Sequence, residues 1–224
     1  MKAPNVPRIG SGRGLWRSGE FVALDFELTG LDPAQDAIIS FGAVPVSGGR
    51  VLLADAIYRE VKPSVPPSIG SVKVHGLRSK DLDGAPFLSQ VTHELSDALA
   101  GRYLLTWVAD VEIGFLRTVF GKPWWWWRRR TIDVLDLVRV HAHDQQITAS
   151  PAEAGLSVTA KRYGIPDEDP HHALNDALMT AELFLVLATK LSFLGRRSVR
   201  DLVRASGEPR DDLTERSGFS VDPR

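Results

Sequence analysis

A change of hydrophobic period near residue 88 restricts the fold more than any other feature of this sequence. Before it come three β-prone runs, "FVALDFEL" (21–28), "DAIISFGAVPV" (36–46) and "RVLLADAIYREVKP" (50–63). A "TGLDP" turn joins the first two, and Ser47-Gly48-Gly49-Arg50 joins the second and third, a good hairpin signal. Strands joined by turns this short predict an antiparallel meander. Beyond residue 88, helical and strand patterns alternate. Val91, Leu95, Ala98 and Leu99 mark a helix over 88–101, and "RYLLTWV" (102–108) a buried strand. Ile113, Leu116, Val119 and Phe120 mark a helix over 112–121, followed by a fifth strand, "RRTIDV" (129–134). Helical patterns then cover 134–143, 157–164 and 172–195, the last stopped by Gly195. Strands first, then helices alternating with strands, predict an α/β chain with a mixed sheet flanked by helices.

The chain has 224 residues, 43% apolar and 25% charged, which suits one globular domain with a sizeable core. Residues 1–19 read as a flexible leader, 20–195 as the main domain, 196–206 as a short C-terminal helix and 207–224 as a disordered tail. No stretch approaches the roughly 20 apolar residues of a membrane span, so no membrane partner is expected. The absence of cysteine excludes disulfides, thiolate metal sites and cysteine nucleophiles, and suits a cytoplasmic setting. Net charge is −1, which argues against non-specific coating of nucleic acid and favours local, end-on engagement or none.

Asp25 and Glu27 lie two apart on the first predicted strand, so both project from one face. Two such acids on a buried strand repel each other, and a divalent cation with oxygen ligands, Mg²⁺ or Mn²⁺, would offset that cost. Two solvated acids at a strand end are the alternative. "HHALND" (171–176) adds Asp176 in the early turns of a helix, with His171 at the end of the preceding loop. Alone, that segment fits a helix-end histidine, with Asp176 paired to a neighbour such as Lys161 or Arg162, better than it fits a metal site.

Taken together, "DFELTG", "WVADVEIGFL" and "HHALND" occur in the order and rough spacing of a known family. Over residues 20 to 195 the chain resembles the DEDDh group of 3′–5′ exonucleases, which includes the proofreading epsilon subunit of bacterial DNA polymerase III, RNase T and oligoribonuclease. "VHGL" (74–77) and "TIDVLDL" (131–137) also look like family segments. The resemblance implies a ribonuclease-H-like fold with a mixed five-stranded sheet, three antiparallel strands then two parallel. It implies two Mg²⁺ or Mn²⁺ ions held by Asp25, Glu27, Asp176 and a fourth acid, stabilising the entering and leaving oxygens. His171, rather than His172, stands five before Asp176 as the motif requires, and would take a proton from the attacking water. Thr29, Gly30 and Leu31 would meet the 3′-terminal nucleotide. His75 stands near the substrate or serves as a structural turn histidine.

The expected activity is removal of nucleoside 5′-monophosphates from single-stranded or frayed 3′ ends, DNA ahead of RNA, alone or beside a polymerase. An RNA-trimming exoribonuclease is the alternative within the class. A catalytically weak nucleic-acid-binding module is the alternative outside it. The family's middle motif usually reads His-Asn-Ala-x-Phe-Asp, and here it becomes Trp107-Val108-Ala109-Asp110-Val111-Glu112. Glu112 therefore takes the ligand place and also leans toward the core as i−4 from Leu116. Asp110 is expected as a helix N-cap. Asp133 is expected as a hydrogen-bonded support. The run "WWWWRRR" (124–130) admits base stacking beside arginines or a local hydrophobic plug.

Overall fold

A computed structural model describes residues 9–146, 155–166 and 169–207. Strand β1 (Glu20–Leu28) pairs antiparallel with β2 (Ile38–Ser47) and parallel with β5 (Tyr103–Thr106), which pairs parallel with β6 (Thr131–Asp133). The outer edge beyond β2 carries β3 (Arg50–Val51) and β4 (Ile57–Glu60), both antiparallel to β2. The sheet is thus mixed, as expected, but among the described residues it has six strands because the predicted third strand is broken. The break has a local cause. Pro45 accepts a hydrogen bond from Leu52 N at 2.9 Å but has no N–H to return. The ladder stops there, a 3₁₀ turn (Leu53–Asp55) intervenes, and pairing resumes at Ile57↔Ala43. The preceding hairpin turns on Gly48 and Gly49, at φ +60° and +72°.

Helices cover both faces. On one lie α5 (Val134–Asp144), α6 (Leu156–Arg162), the long α7 (Ala173–Phe193) and α8 (Val199–Ala205), packed over Phe21, Ala23, Val44 and Val46. On the other lie α2 (Leu88–Leu99), α3 (Ala109–Phe120) and α4 (Trp124–Arg128), over Val22, Leu24, Phe26 and Leu28. The short α1 (Ile69–His75) sits beside the turn after β1, where Thr29 O accepts from Ser68 N and Ser71 Oγ. Burial on both faces explains why β1 reads as a continuous apolar run.

One boundary differs from expectation. The segment read as a flexible leader is packed from residue 9: Trp16 is buried, donates from Nε1 to Ser192 Oγ at 2.7 Å, and Leu15 bridges Ser198. A tryptophan this large finds its partner surface only once α7 is in place. The expected disordered tail lies outside the described residues beyond Gly207.

Candidate active site

Strand alternation places residues 21, 23, 25 and 27 of β1 on the α7 side. The first two are core, and the last two are the acids. The ligand oxygens of Asp25, Glu27 and Asp176 lie within 4.8 Å of one another. What permits this is Gly42. It stands opposite Asp25 in the β1–β2 ladder, and a Cβ there would run into the Ala173 carbonyl and the Leu174 amide. The missing side chain lets the first turn of α7 rest on the sheet, which brings Asp176 to the strand acids. Gly42 was not picked out from the sequence, although a glycine inside an apolar strand is a signal of close backbone approach.

Glu112 arrives from the other layer. Because β5 runs parallel to β1 with Leu105 beside Ala23, its chain emerges into α3 near Asp25. Glu112 is outside the three-acid cluster but is the largest charged influence on Asp25. It is buried, and its Oε2 has no hydrogen-bond partner. Asp110 does not cap α3. The helix begins at Ala109, Asp110 lies within its first turn, and the capping oxygen comes from elsewhere: Asp133 Oδ2 accepts from Ala109 N at 2.8 Å. Asp133 Oδ1 accepts from Asp136 N at 2.8 Å, so one buried carboxylate fixes the starts of α3 and α5.

The acids titrate abnormally. Burial first, then Glu112, Glu27 and Asp176, raise the Asp25 carboxyl well above its ordinary range. Burial and Asp176 push Glu27 up to about 8. Burial pushes Glu112 up to about 8, with Asp133 and Asp110 adding to it against a local backbone hydrogen bond. Asp133 rises to about 7, again mainly through burial. Every charged neighbour that acts on Asp25, Glu27 and Glu112 is another carboxylate. Hard oxygen donors gathered in this way fit Mg²⁺ or Mn²⁺. The orphaned Glu112 oxygen fits the same chemistry.

The remaining predicted residues lie on the segments that follow β1 and precede α7. His171 is exposed and in the left-handed backbone region, φ +64°. His75 lies near enough that His171 helps lower its pKa, behind burial and against the Leu28 backbone. Leu31 is exposed at the site's edge. Thr29 has a buried side chain that donates to Asp36 Oδ1 at 3.0 Å while accepting from Ala37 N at 2.9 Å, so it shapes the turn. Gly30 is required by the same turn, because the Asp36 carboxylate fills the space a Cβ would take. His172 stacks on Tyr58, with ring centroids 4.4 Å apart. Asp167 and Glu168 of the acidic loop before His171 lie outside the described residues.

The tryptophan run is remote from the acids. It packs where α3 ends, with Trp127 against Phe120 at 5.9 Å, about 12 Å along the helix from Glu112. Trp127 is fully buried, and Arg130 lies 4.4 Å over Trp126 while donating to the Leu99 and Arg102 carbonyls. That half of the run is a hydrophobic plug. Trp125 is 57% exposed.

Comparison with known proteins agrees with this fold. The family model RNase_T, described as an exonuclease family, matches residues 22–184, and the chain belongs to that family, of the DEDDh type, with Glu112 where the middle aspartate usually stands. A DNA polymerase III PolC-type protein of Thermotoga maritima is 30% identical over 180 residues, which cover 78% of this chain and 12% of that protein. A DNA polymerase III subunit epsilon-like protein of Rhodobacter capsulatus is 31% identical over 179 residues, covering 78% of this chain and 24% of that protein. The chain thus spans a small part of these relatives. Among solved structures, E. coli ExoI in complex with single-stranded DNA superposes with a TM-score of 0.68 at 18% identity, covering 80% of this chain and 43% of that one. The nuclease domain of 3′hExo, a DEDDh family member bound to rAMP, gives 0.59 at 19% identity over 75% of this chain and 90% of that one. Among the described residues no helix is long and apolar enough to cross a membrane.

Proposed function

We propose that the chain is a metal-dependent 3′–5′ exonuclease that removes nucleoside 5′-monophosphates from single-stranded or frayed ends, acting on DNA in preference to RNA, in the cytoplasm. The observation that carries this reading is the convergence of Asp25, Glu27 and Asp176 to within 4.8 Å, with Glu112 beside them. Two divalent ions held by these four acids would neutralise them and stabilise the charge on the entering and leaving oxygens. The chain's own residues supply the rest. His171, exposed beside the cluster, accepts the proton of the attacking water at a ring nitrogen. Leu31 packs against the terminal base, and the Gly30 turn keeps that base at the strand end. His75, buried on one side and facing His171, borders the terminal nucleotide. The preference for DNA follows from the likeness to the polymerase-associated relatives, which also supports a polymerase as partner.

The test is cleavage of 5′-labelled DNA and RNA oligomers with Mg²⁺, Mn²⁺ or chelator. A ladder that shortens only with metal, and faster on DNA, is expected. His171→Ala and Glu112→Gln each slow it by about 100-fold or more, whereas Asp110→Asn stays within a few-fold. Loss of cleavage in a folded Asp110→Asn protein, with Glu112→Gln active, would overturn the ligand assignment.

A further inference from the structure

We propose that Tyr58 is a positioning residue for His171, acting through the ring of His172. The inference rests on the reading of His171 as proton acceptor. In the sheet, Asp25 faces Gly42 across one ladder and Gly42 faces Tyr58 across the next. All three positions share a face, so Asp25 and Tyr58 flank the gap that receives Ala173. Each residue at the start of α7 then has its own anchor. Ala173 rests on Gly42, Asp176 meets Asp25 and Glu27, and His172 lies on Tyr58 with an interplanar angle of 27°.

The buried Nδ1 of His172 has no hydrogen-bond partner, so the face of Tyr58 sets where that ring sits. His171 is the next residue back. A non-glycine residue at φ +64° stays there only while its flanks are held. One flank is the Asn175 Nδ2 to Asp169 O hydrogen bond at 3.3 Å, and the other is the Tyr58–His172 stack. Removing the Tyr58 ring releases the second flank and lets His171 drift, while Gly42 and β1 still hold the acids. The Tyr58 hydroxyl takes no part in this, since it donates toward Glu60 Oε1 at 3.4 Å.

The experiment is steady-state cleavage of a single-stranded oligomer by the full chain carrying Tyr58→Ala, Tyr58→Phe, His171→Ala or Tyr58→Ala with His171→Ala, alongside the Mn²⁺-induced rise in Tm. Tyr58→Ala is expected to lower kcat roughly 10- to 100-fold, with KM within about 2-fold and the Mn²⁺ rise intact. Tyr58→Phe keeps the stack and stays within about 3-fold of the parent. Added to His171→Ala, Tyr58→Ala costs no more than about a further 2-fold, because both act on one group. A Tyr58→Phe protein as slow as Tyr58→Ala, losses that multiply in the double variant, or a vanished Mn²⁺ rise in Tyr58→Ala would each overturn the inference alone. An unchanged kcat in His171→Ala would instead refute the proton-acceptor reading, and the inference with it.

Discussion

Gly42→Ala adds one methyl group to the sheet at the point where α7 touches it. That methyl overlaps the Ala173 carbonyl and the Leu174 amide, both backbone, so no side chain can rotate away. Restoring ordinary contact moves the start of α7 outward by about 1 Å. Overpacking of this kind costs about 1–3 kcal/mol, a fall in Tm of roughly 2–12 °C for a chain of this size. The catalytic effect is larger. Asp176 sits one turn into the displaced helix, and about 1 Å of misplacement costs on the order of 100-fold in rate. Cleavage of a 5′-labelled single strand with Mn²⁺ should therefore fall about 100-fold in a protein that remains folded at 25 °C. The Mn²⁺-induced rise in Tm should shrink with it. A Gly42→Ala protein that keeps its rate within about 2-fold would refute the claim that contact between helix and sheet at this glycine aligns the acids.

Stability should depend on pH in a direction that the metal reverses. Glu27 and Glu112 rise from ordinary carboxylate values to about 8, so the folded metal-free protein holds protons that the unfolded chain has released. Their contribution is therefore lost as pH rises from about 5 to 8, and metal-free Tm should fall across that window; saturating Mn²⁺ should flatten or invert the slope. A metal-free Tm that climbs steadily from pH 5 to 8 would contradict the burial described for these acids. Asp133→Asn leaves one acceptor where two backbone N–H groups need one each, and should cost about 1–3 kcal/mol in chemical denaturation. An unchanged midpoint would show that the starts of α3 and α5 are held by something else.

Much of this site could be read from the sequence, and the exceptions share a physical cause. Asp25 and Glu27 were legible because period-2 alternation fixes their common face whatever the rest of the chain does. Glu112 was picked out by the resemblance of residues 107–112 to the family's middle motif, and its place one turn before Leu116 in the helical period agreed with that register. Asp110 was misread as a cap because capping was looked for next to the helix in sequence, whereas Asp133 reaches Ala109 N from the adjacent strand end. The Thr29–Asp36 bond was not legible for the opposite reason: the two residues are close in sequence, but the turn's closure on that carboxylate shows only in three dimensions. Gly42 and Tyr58 acquire their roles from α7, more than 100 residues later, and neither carries a local pattern that names its partner. The broken third strand traces to Pro45, whose missing N–H could have been counted against the ladder.

The most direct measurement is a crystal structure of the protein with Mn²⁺, with the ions located by anomalous scattering. Peaks bounded by the Asp25, Glu27 and Asp176 carboxylates, one of them reached by Glu112, are the expected result. Crystals saturated with Mn²⁺ that show no peak among these side chains, or ions bound with Glu112 turned away and Asp110 in its place, would contradict the account.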